Sequence, residues 1–130
     1  MSARRVIRNI SVPDLIRYKL PVPGMLSILH RVSGALMFLL LPAVLWLFEL
    51  SLKRDAFGRL LELAGGWFAR LVLVALAWAL LHHLAAGIRY LLLDLDLGVD
   101  RAPARRSAWI VFAVSLALTA MAAVFIFGAL

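Results

Sequence analysis

Three long apolar stretches limit what this chain of 130 residues can fold into. The first runs from Val32 to Phe48 without an ionisable residue, the second from Leu71 to Ile88 with two histidines, and the third from Ser107 to Leu130 without a charge. A helix needs about 20 mostly apolar residues to cross the hydrocarbon core of a bilayer. None of the stretches alternates like a barrel strand, so each one predicts a transmembrane helix.

The composition agrees with an integral membrane protein and argues against several other classes. Hydrophobic residues make up 65% of the chain, and the formal net charge is +7. A soluble domain of this size could not bury so much apolar surface, and a disordered chain would be poor in it. A nucleic-acid-binding protein would gather its basic residues on a soluble face, whereas here they flank apolar helices. The sequence has no cysteine, which excludes disulfides and cysteine-ligated metal sites in this chain.

The chain is expected to consist of a basic cytoplasmic N-terminal arm, residues 1–25, and a membrane domain, residues 26–130. Pro21 and Pro23 disfavour regular helix at the end of the arm, so the first helix is expected to begin near residues 24–25. The fold class is therefore all-α integral membrane. The three membrane helices are expected at about 26–52, 66–94 and 105–129.

The basic residues predict the orientation of these helices. With the N-terminus inside, the inner side carries six basic residues in the arm and the start of the first helix, and four more between the second and third helices. The outer loop carries four, and no basic residue follows the third helix. Because cytoplasmic loops are enriched in Lys and Arg, the predicted topology is N-in/C-out.

Two adjacent histidines, His82 and His83, interrupt the second apolar stretch. Neighbouring residues on a helix point about 100° apart, so the two rings cannot face the same partner. The small residues Ala79 and Gly87 share the face of His83, which is the clearance that a flat macrocycle needs beside an axial imidazole. His82 shares its face with the bulkier Trp78. A hydrogen bond to a neighbouring helix explains either histidine without any ligand, and both interpretations stay open at this point.

The depth of these residues in the membrane is also informative. Arg89 is expected near the inner headgroups, where its long aliphatic stem can snorkel towards water. His83 precedes it by six residues and so lies about 9 Å deeper along the helix. A ligand at His83 would therefore sit in the inner half of the bilayer, on the side where His30 and Arg31 begin the first helix.

A polar group at the start of the first helix is a second candidate site. Ser27 and Arg31 are four residues apart and project from one face. Gly34 follows on that face and is expected to let another group come close. His30 lies one position round. A hydroxyl donor, a fixed cation and an imidazole at the lipid boundary suit a quinone, whose carbonyl oxygens gain negative charge on reduction. A helix cap at Ser27 and headgroup anchors at His30 and Arg31 would explain the same residues without a ligand.

Two motifs built from these residues resemble signatures of a known family. The stretch 27–34, SILHRVSG, is similar to the signature that opens the first membrane helix of the cytochrome b subunit of succinate dehydrogenase, the larger membrane anchor of respiratory complex II. The stretch 83–94, HLAAGIRYLLLD, resembles that family's second signature, H-x-x-x-G-x-R followed by an apolar run and an Asp. The motifs lie on successive predicted helices, and the resemblance covers nearly the whole chain.

The resemblance implies a haem b, held without covalent bonds, with His83 as an axial ligand of the iron. It implies a quinone-binding role for Ser27 and Arg31, with ubiquinone or menaquinone as the substrate. His30, together with Arg31, is expected near the haem propionates or on a proton path. The resemblance implies no catalytic residue for dicarboxylate chemistry in this chain. His82 has no family role.

The resemblance further implies a set of partners. A smaller membrane-anchor subunit would complete the haem-binding bundle and supply the second ligand of the iron. An iron–sulfur subunit on the inner face would deliver electrons from a flavoprotein subunit that oxidises succinate. The complex would lie in the bacterial inner membrane, with no nucleic acid among its partners. Tyr90 stands where some family members carry a histidine.

Two alternatives remain at the level of the sequence. The same fold could serve as the anchor of a fumarate reductase, which oxidises quinol and runs the reverse reaction. A small proton-conducting membrane subunit would use His82, His83 and Arg89 as a relay. Such a path needs further polar residues, and the third helix offers only Ser107, Ser115 and Thr119.

Overall fold

The computed structural model describes residues 19–129, and this part of the chain folds into four α-helices and no strand. Three of the helices are long and apolar enough to cross a membrane, which confirms the all-helical prediction with three membrane helices. Residues 1–18, which hold most of the predicted arm, and Leu130 lie outside the described residues. The helices are α1 (Val22–Ser51), α2 (Arg54–Ala64), α3 (Trp67–Asp94) and α4 (Arg101–Ala129).

Two of the helices begin earlier than the sequence predicted, each with a proline in its first turn. Helix α1 begins at Val22 with Pro23 as its second residue, and the carbonyl of Pro21 accepts the first main-chain hydrogen bond. Helix α4 begins at Arg101 and contains Pro103. Proline breaks a helix in its interior but fits the first turn, where its missing N–H has no partner to lose.

Helix α2 was not predicted from the sequence. The segment between the first two membrane helices is rich in charge, which is typical of a loop, yet it forms a helix of 11 residues. The connection from α3 to α4 is short. It contains two residues with positive φ, Asp96 at 59° and Gly98 at 78°. Glycine adopts this left-handed backbone without strain, and aspartate tolerates it better than most residues.

The helices pack most closely in one half of the bundle. Helix α3 lies in the middle and contacts both α4 and α1. The two buried residues of α1, Leu26 and Ser33, both lie in its first half, and small side chains such as Ala86 and Ala108 let the helices approach closely there. The beginnings of α1 and α4 therefore meet the end of α3, while the second half of α1 leaves its apolar side chains exposed.

Candidate functional site

His83 occupies the interface between α3 and α1. Its Nδ1 atom lies 3.0 Å from the backbone oxygen of His30 and 3.3 Å from the hydroxyl oxygen of Ser33. A carbonyl oxygen only accepts, so the bond to His30 requires a proton on Nδ1. The Ser33 hydroxyl donates to the same carbonyl at 3.0 Å, which leaves its own oxygen free to accept from Nδ1. This arrangement fixes the tautomer whose Nε2 atom carries the lone pair.

Gly34 makes room for the imidazole of His83. A Cβ atom added to this glycine would stand 2.7 Å from Cε1 of His83 and 3.2 Å from its Nδ1. Real Cβ atoms almost never approach another atom that closely, and the clash would fall on a ring that is already held by two hydrogen bonds. The sequence predicted that Gly34 lets another group approach, and in the structure that group is the His83 ring.

His30 stacks on His83 from the side of α1. The ring centroids are 4.2 Å apart with an interplanar angle of 19°, and the ring of Tyr90 tilts against His30 at 5.1 Å. The Nε2 atom of His30 and the hydroxyl of Tyr90 are both buried and have no hydrogen-bond partner within residues 19–129. Buried polar atoms are normally satisfied, so each of these atoms suits a group from outside the described chain.

The stacked pair does not make a two-histidine iron site by itself. Two axial ligands bind an iron from opposite faces, end to end, whereas His30 and His83 lie face to face. In the part of the chain that the structure describes, no group of three or more His, Cys, Asp or Glu side chains could hold a metal ion.

Ser27 and Arg31 lie one turn apart on α1, next to His30 in the sequence. A terminal nitrogen of Arg31 donates to the hydroxyl oxygen of Ser27 at 3.1 Å, so the two side chains share one face as the sequence predicted. Arg31 is exposed and Ser27 is half-buried. The pair presents a guanidinium and a hydroxyl at one place on α1, and Arg31 follows His30 directly in the sequence.

His82 points to a different neighbour, the helix α4. Its side chain is 0% exposed, and its Nδ1 lies 3.4 Å from the hydroxyl oxygen of Ser115. The indole of Trp78 stacks on the ring at 5.2 Å, and Phe112 packs at 5.5 Å. These contacts agree with the interpretation of His82 as a histidine hydrogen-bonded to a neighbouring helix.

The sequence did not predict that Ser33 and Ser115 are the polar partners of the two histidines, because helix periodicity does not specify which residues of two helices meet.

Arg89 does not snorkel, contrary to the expectation from its place near the end of α3. Only 6% of the residue is exposed. Its Nε donates to the Ser107 hydroxyl at 2.9 Å, and a terminal nitrogen donates to the carbonyl of Ala104 at 3.1 Å. The guanidinium also lies over the ring of Tyr90, 5.4 Å from its centroid. Arg89 thus joins the end of α3 to the beginning of α4, where oxygen acceptors replace the water that snorkelling would have reached.

The fold and this site define a multi-pass membrane subunit with a histidine cluster enclosed between its helices. A family model for the succinate dehydrogenase/fumarate reductase transmembrane subunit matches residues 5–122. The succinate dehydrogenase cytochrome b556 subunit of Coxiella burnetii is 37% identical over 129 residues, which cover 97% of this chain and 99% of the relative. The subunit of the same name from Rickettsia felis is 35% identical over 107 residues (82% and 84%), and that from Paracoccus denitrificans is 29% identical over 116 residues (88% and 89%).

The chain therefore belongs to the succinate dehydrogenase/fumarate reductase transmembrane subunit family, among the cytochrome b anchor subunits of complex II. This confirms the resemblance on which the sequence analysis drew. Membership makes the chain a subunit of an enzyme complex and implies the other subunits of that complex. The cytochrome b designation of the relatives implies haem b as the cofactor.

Proposed function

We propose that this subunit binds haem b through Nε2 of His83 and helps to form the site at which succinate dehydrogenase reduces quinone. The observation that carries the haem assignment is the hydrogen bond from Nδ1 of His83 to the backbone oxygen of His30. Metal-ligating histidines commonly donate their other ring N–H to a carbonyl or carboxylate, which orients the ring and makes the ligand more basic. His83 has this arrangement, and His82 has no carbonyl partner among the described residues.

The residues around His83 fit a haem in two further respects. Gly34 lets the His83 ring pack directly against α1, in the position where its Nδ1 reaches the His30 carbonyl. The unpartnered Nε2 of His30 and hydroxyl of Tyr90 offer polar groups that a propionate would satisfy, and Arg31 adds a cation suited to a carboxylate. Haem supplies a one-electron carrier when it is bound, and a smaller anchor subunit would provide the second axial ligand.

The quinone assignment depends on Ser27 and Arg31. Their mutual hydrogen bond holds the guanidinium and the hydroxyl at one place on α1. Donors fixed in this way stabilise negative charge as it develops on a carbonyl oxygen, and they need little reorganisation during the reaction. His30 lies one residue from Arg31 and could exchange a proton through its unpartnered Nε2. Ser27 would donate to a quinone carbonyl while Arg31 stabilises the reduced anion.

The proposed topology is N-in/C-out in the bacterial inner membrane, with the arm 1–25 cytoplasmic and the membrane domain spanning 26–130. The site then lies in the inner half of the bilayer, near the surface where the iron–sulfur subunit and its flavoprotein partner would dock. All three relatives described above are named as succinate dehydrogenase subunits, which favours quinone reduction over the fumarate reductase alternative. The proton-conducting alternative is not favoured, since Arg89 and His82 are engaged in contacts with α4.

The haem assignment is tested by His83→Leu in the co-expressed complex. The dithionite-reduced minus oxidised spectrum, normalised to the flavin content, should lose or strongly shift its b-type bands because the iron loses an axial ligand. His82→Leu is the matched control, since it removes the same side chain from the adjacent position on a different face, and its b-type bands should remain. An unchanged b-type spectrum in His83→Leu would contradict the assignment of His83 as a haem ligand.

The quinone assignment is tested separately by Ser27→Ala and Arg31→Leu. We expect quinone reductase activity to fall by about 10²–10³-fold for Arg31→Leu, the usual effect of removing one donor to a developing oxyanion, and by less for Ser27→Ala. Succinate oxidation with a soluble dye should continue at the normal rate, because it does not need the membrane site. Normal quinone reductase activity in both variants would contradict the assignment of Ser27 and Arg31 to the quinone site.

A further inference from the structure

Helix α2 separates its apolar side chains from its polar ones. At about 100° per residue, the apolar side chains fall within an arc of roughly 160°, and the charged ones lie on the opposite side. The charged side is balanced, with two arginines and two carboxylates. The apolar side chains are Ala56, Phe57, Leu60, Leu61, Leu63 and Ala64, and the charged ones are Arg54, Asp55, Arg59 and Glu62.

Helix α1 covers only part of this apolar face. Ala56 and Leu60 are half-buried on the side of α1, where a hollow of about 270 Å³ remains between the two helices. Phe57 and Leu61 are each 47% exposed, and Leu63 is 69% exposed. Half or more of the apolar face thus needs a second covering surface.

The position of α2 in the chain identifies that surface. Helix α1 ends at Ser51 and α3 begins at Trp67, and both helices are membrane spans. The segment 52–66 therefore lies at one membrane surface, opposite to the end that holds His83. An isolated helix of this length is only marginally stable in water, so the segment requires an apolar surface to remain helical. Trp46 near the end of α1 and Trp67 at the start of α3 are both exposed, as is common where a protein meets the headgroup region.

We propose that α2 is an interfacial helix that binds the phospholipid surface on the outer side of the membrane. Phe57, Leu61 and Leu63 enter the boundary between headgroups and acyl chains, and the charged face remains in water. Because the arginines and carboxylates of α2 balance, apolar insertion supplies the attraction, and anionic lipid is not required. The outer location rests on the proposed N-in topology, whereas the lipid contact does not depend on haem or quinone binding.

A protein partner fits this face less well than lipid. A stable protein–protein interface buries roughly 800 Å² on each partner. For a partner that contacted α2 alone, three partly exposed side chains on a helix of 11 residues supply much less than that. A bilayer surface needs no such area, because it continues from the lipid that surrounds both flanking spans.

Cysteine scanning of the assembled complex tests the proposal, because this chain contains no cysteine of its own. Phe57→Cys and Leu61→Cys probe the apolar face, and Asp55→Cys and Glu62→Cys are the matched controls on the charged face. A membrane-impermeant maleimide is applied to sealed vesicles of each orientation, and the label on this subunit is read after electrophoresis. We expect the controls to react from the outer side and the apolar positions to react at least tenfold more slowly.

Photoreactive phosphatidylcholine then identifies what protects the apolar face. In proteoliposomes of the unsubstituted complex, cross-links should map to Phe57, Leu61 and Leu63, at similar yield with and without added phosphatidylglycerol. Equal maleimide rates at all four positions, or protection without lipid cross-links, would overturn the proposal. Cross-links that need phosphatidylglycerol would also contradict it. The b-type spectrum of each variant monitors the haem separately, so the lipid contact and the haem assignment fail independently. Labelling only from the inner side would instead contradict the N-in topology on which the outer location rests.

Discussion

Two adjacent histidines on α3 each lie near a serine hydroxyl, but only His83 also bonds to a backbone carbonyl. Nδ1 of His83 lies near the hydroxyl of Ser33, and Nδ1 of His82 lies near that of Ser115. His82 is closed in by the aromatic rings of Trp78 and Phe112 and is fully buried. His83 is half-buried beside a glycine. The comparison teaches that a backbone-carbonyl partner at Nδ1 and incomplete burial, and not the serine partner, distinguish the candidate ligand from the packing residue.

The largest effect on the difference between His82 and His83 is expected at Gly34, where a side chain would displace the His83 ring. Gly34→Ala places a methyl group 2.7 Å from Cε1, so the ring must leave the position in which it bonds to the His30 carbonyl. We expect haem affinity to fall by about 10–100-fold, the usual effect of losing the support of a metal ligand. The measurement is haem content per flavin after purification, followed by haem titration.

Gly24→Ala is the matched control for Gly34→Ala on the same helix. A Cβ atom at Gly24 would come no closer than 3.6 Å to any other side chain, which is an ordinary contact. Its haem content should equal that of the unsubstituted complex. If Gly34→Ala also retained full haem content and affinity, clearance at Gly34 would not be what makes His83 the ligand.

The next largest effect is expected at Arg89, on the face of His82. Arg89→Leu removes two interhelical hydrogen bonds, and buried bonds of this kind contribute about 0.6 kcal/mol on average in a membrane, with values up to about 1.7. Stability should therefore fall by about 1–2 kcal/mol without a change in the positions of the haem bands. Thermal unfolding of the purified complex measures the stability, and the reduced spectrum shows the positions of the haem bands.

Arg89→Lys is the control that keeps the charge. A lysine can still donate to Ser107 or Ala104 but not to both in the same geometry, so an intermediate stability is expected. A full loss of the haem bands in Arg89→Leu, with normal thermal stability, would contradict a role restricted to joining α3 and α4.

The smallest effects are expected at the two serines. Substituting one serine should change mainly haem affinity, and substituting the other should change mainly stability. Ser33→Ala leaves the His30 carbonyl in place, so haem affinity should fall by less than tenfold. Ser115→Ala leaves Nδ1 of His82 without a partner and should lower stability by about 0.6 kcal/mol, with haem affinity unchanged. Haem titration and thermal unfolding of both variants should give opposite patterns. If the two patterns were the same, the two histidines would not have separate roles.

Local sequence properties predicted much of this architecture. The apolar stretches specified the membrane spans because hydrocarbon accepts only helices or closed barrels. The spacing of Ser27 and Arg31 placed them on one face, and their hydrogen bond agrees with that. Helix α2 was missed because its charged residues suggested a loop, although its apolar residues recur with helical spacing. The early start of α1 differs from the prediction because Pro23 lies in the first turn, where proline is tolerated.

Contacts between helices could not be predicted in the same way. The sequence indicated separately that Gly34 admits a close neighbour and that His83 has small residues around it. Gly34 and His83 face each other only because of the register of α1 against α3. The periodicity of a single helix gives no information about that register. The same limit explains Arg89, whose acceptors at Ser107 and Ala104 belong to a helix that begins after a separate turn.

The central claim, that His83 is an axial ligand of the haem iron, is tested most directly by chemical rescue. His83→Gly removes the imidazole and leaves a space beside Gly34 that free imidazole can enter. We predict that the complex with this substitution shows an altered haem spectrum, and that added imidazole restores the low-spin b-type bands of the unsubstituted complex. Low-spin bands identical to those of the unsubstituted complex before any imidazole is added would contradict the claim.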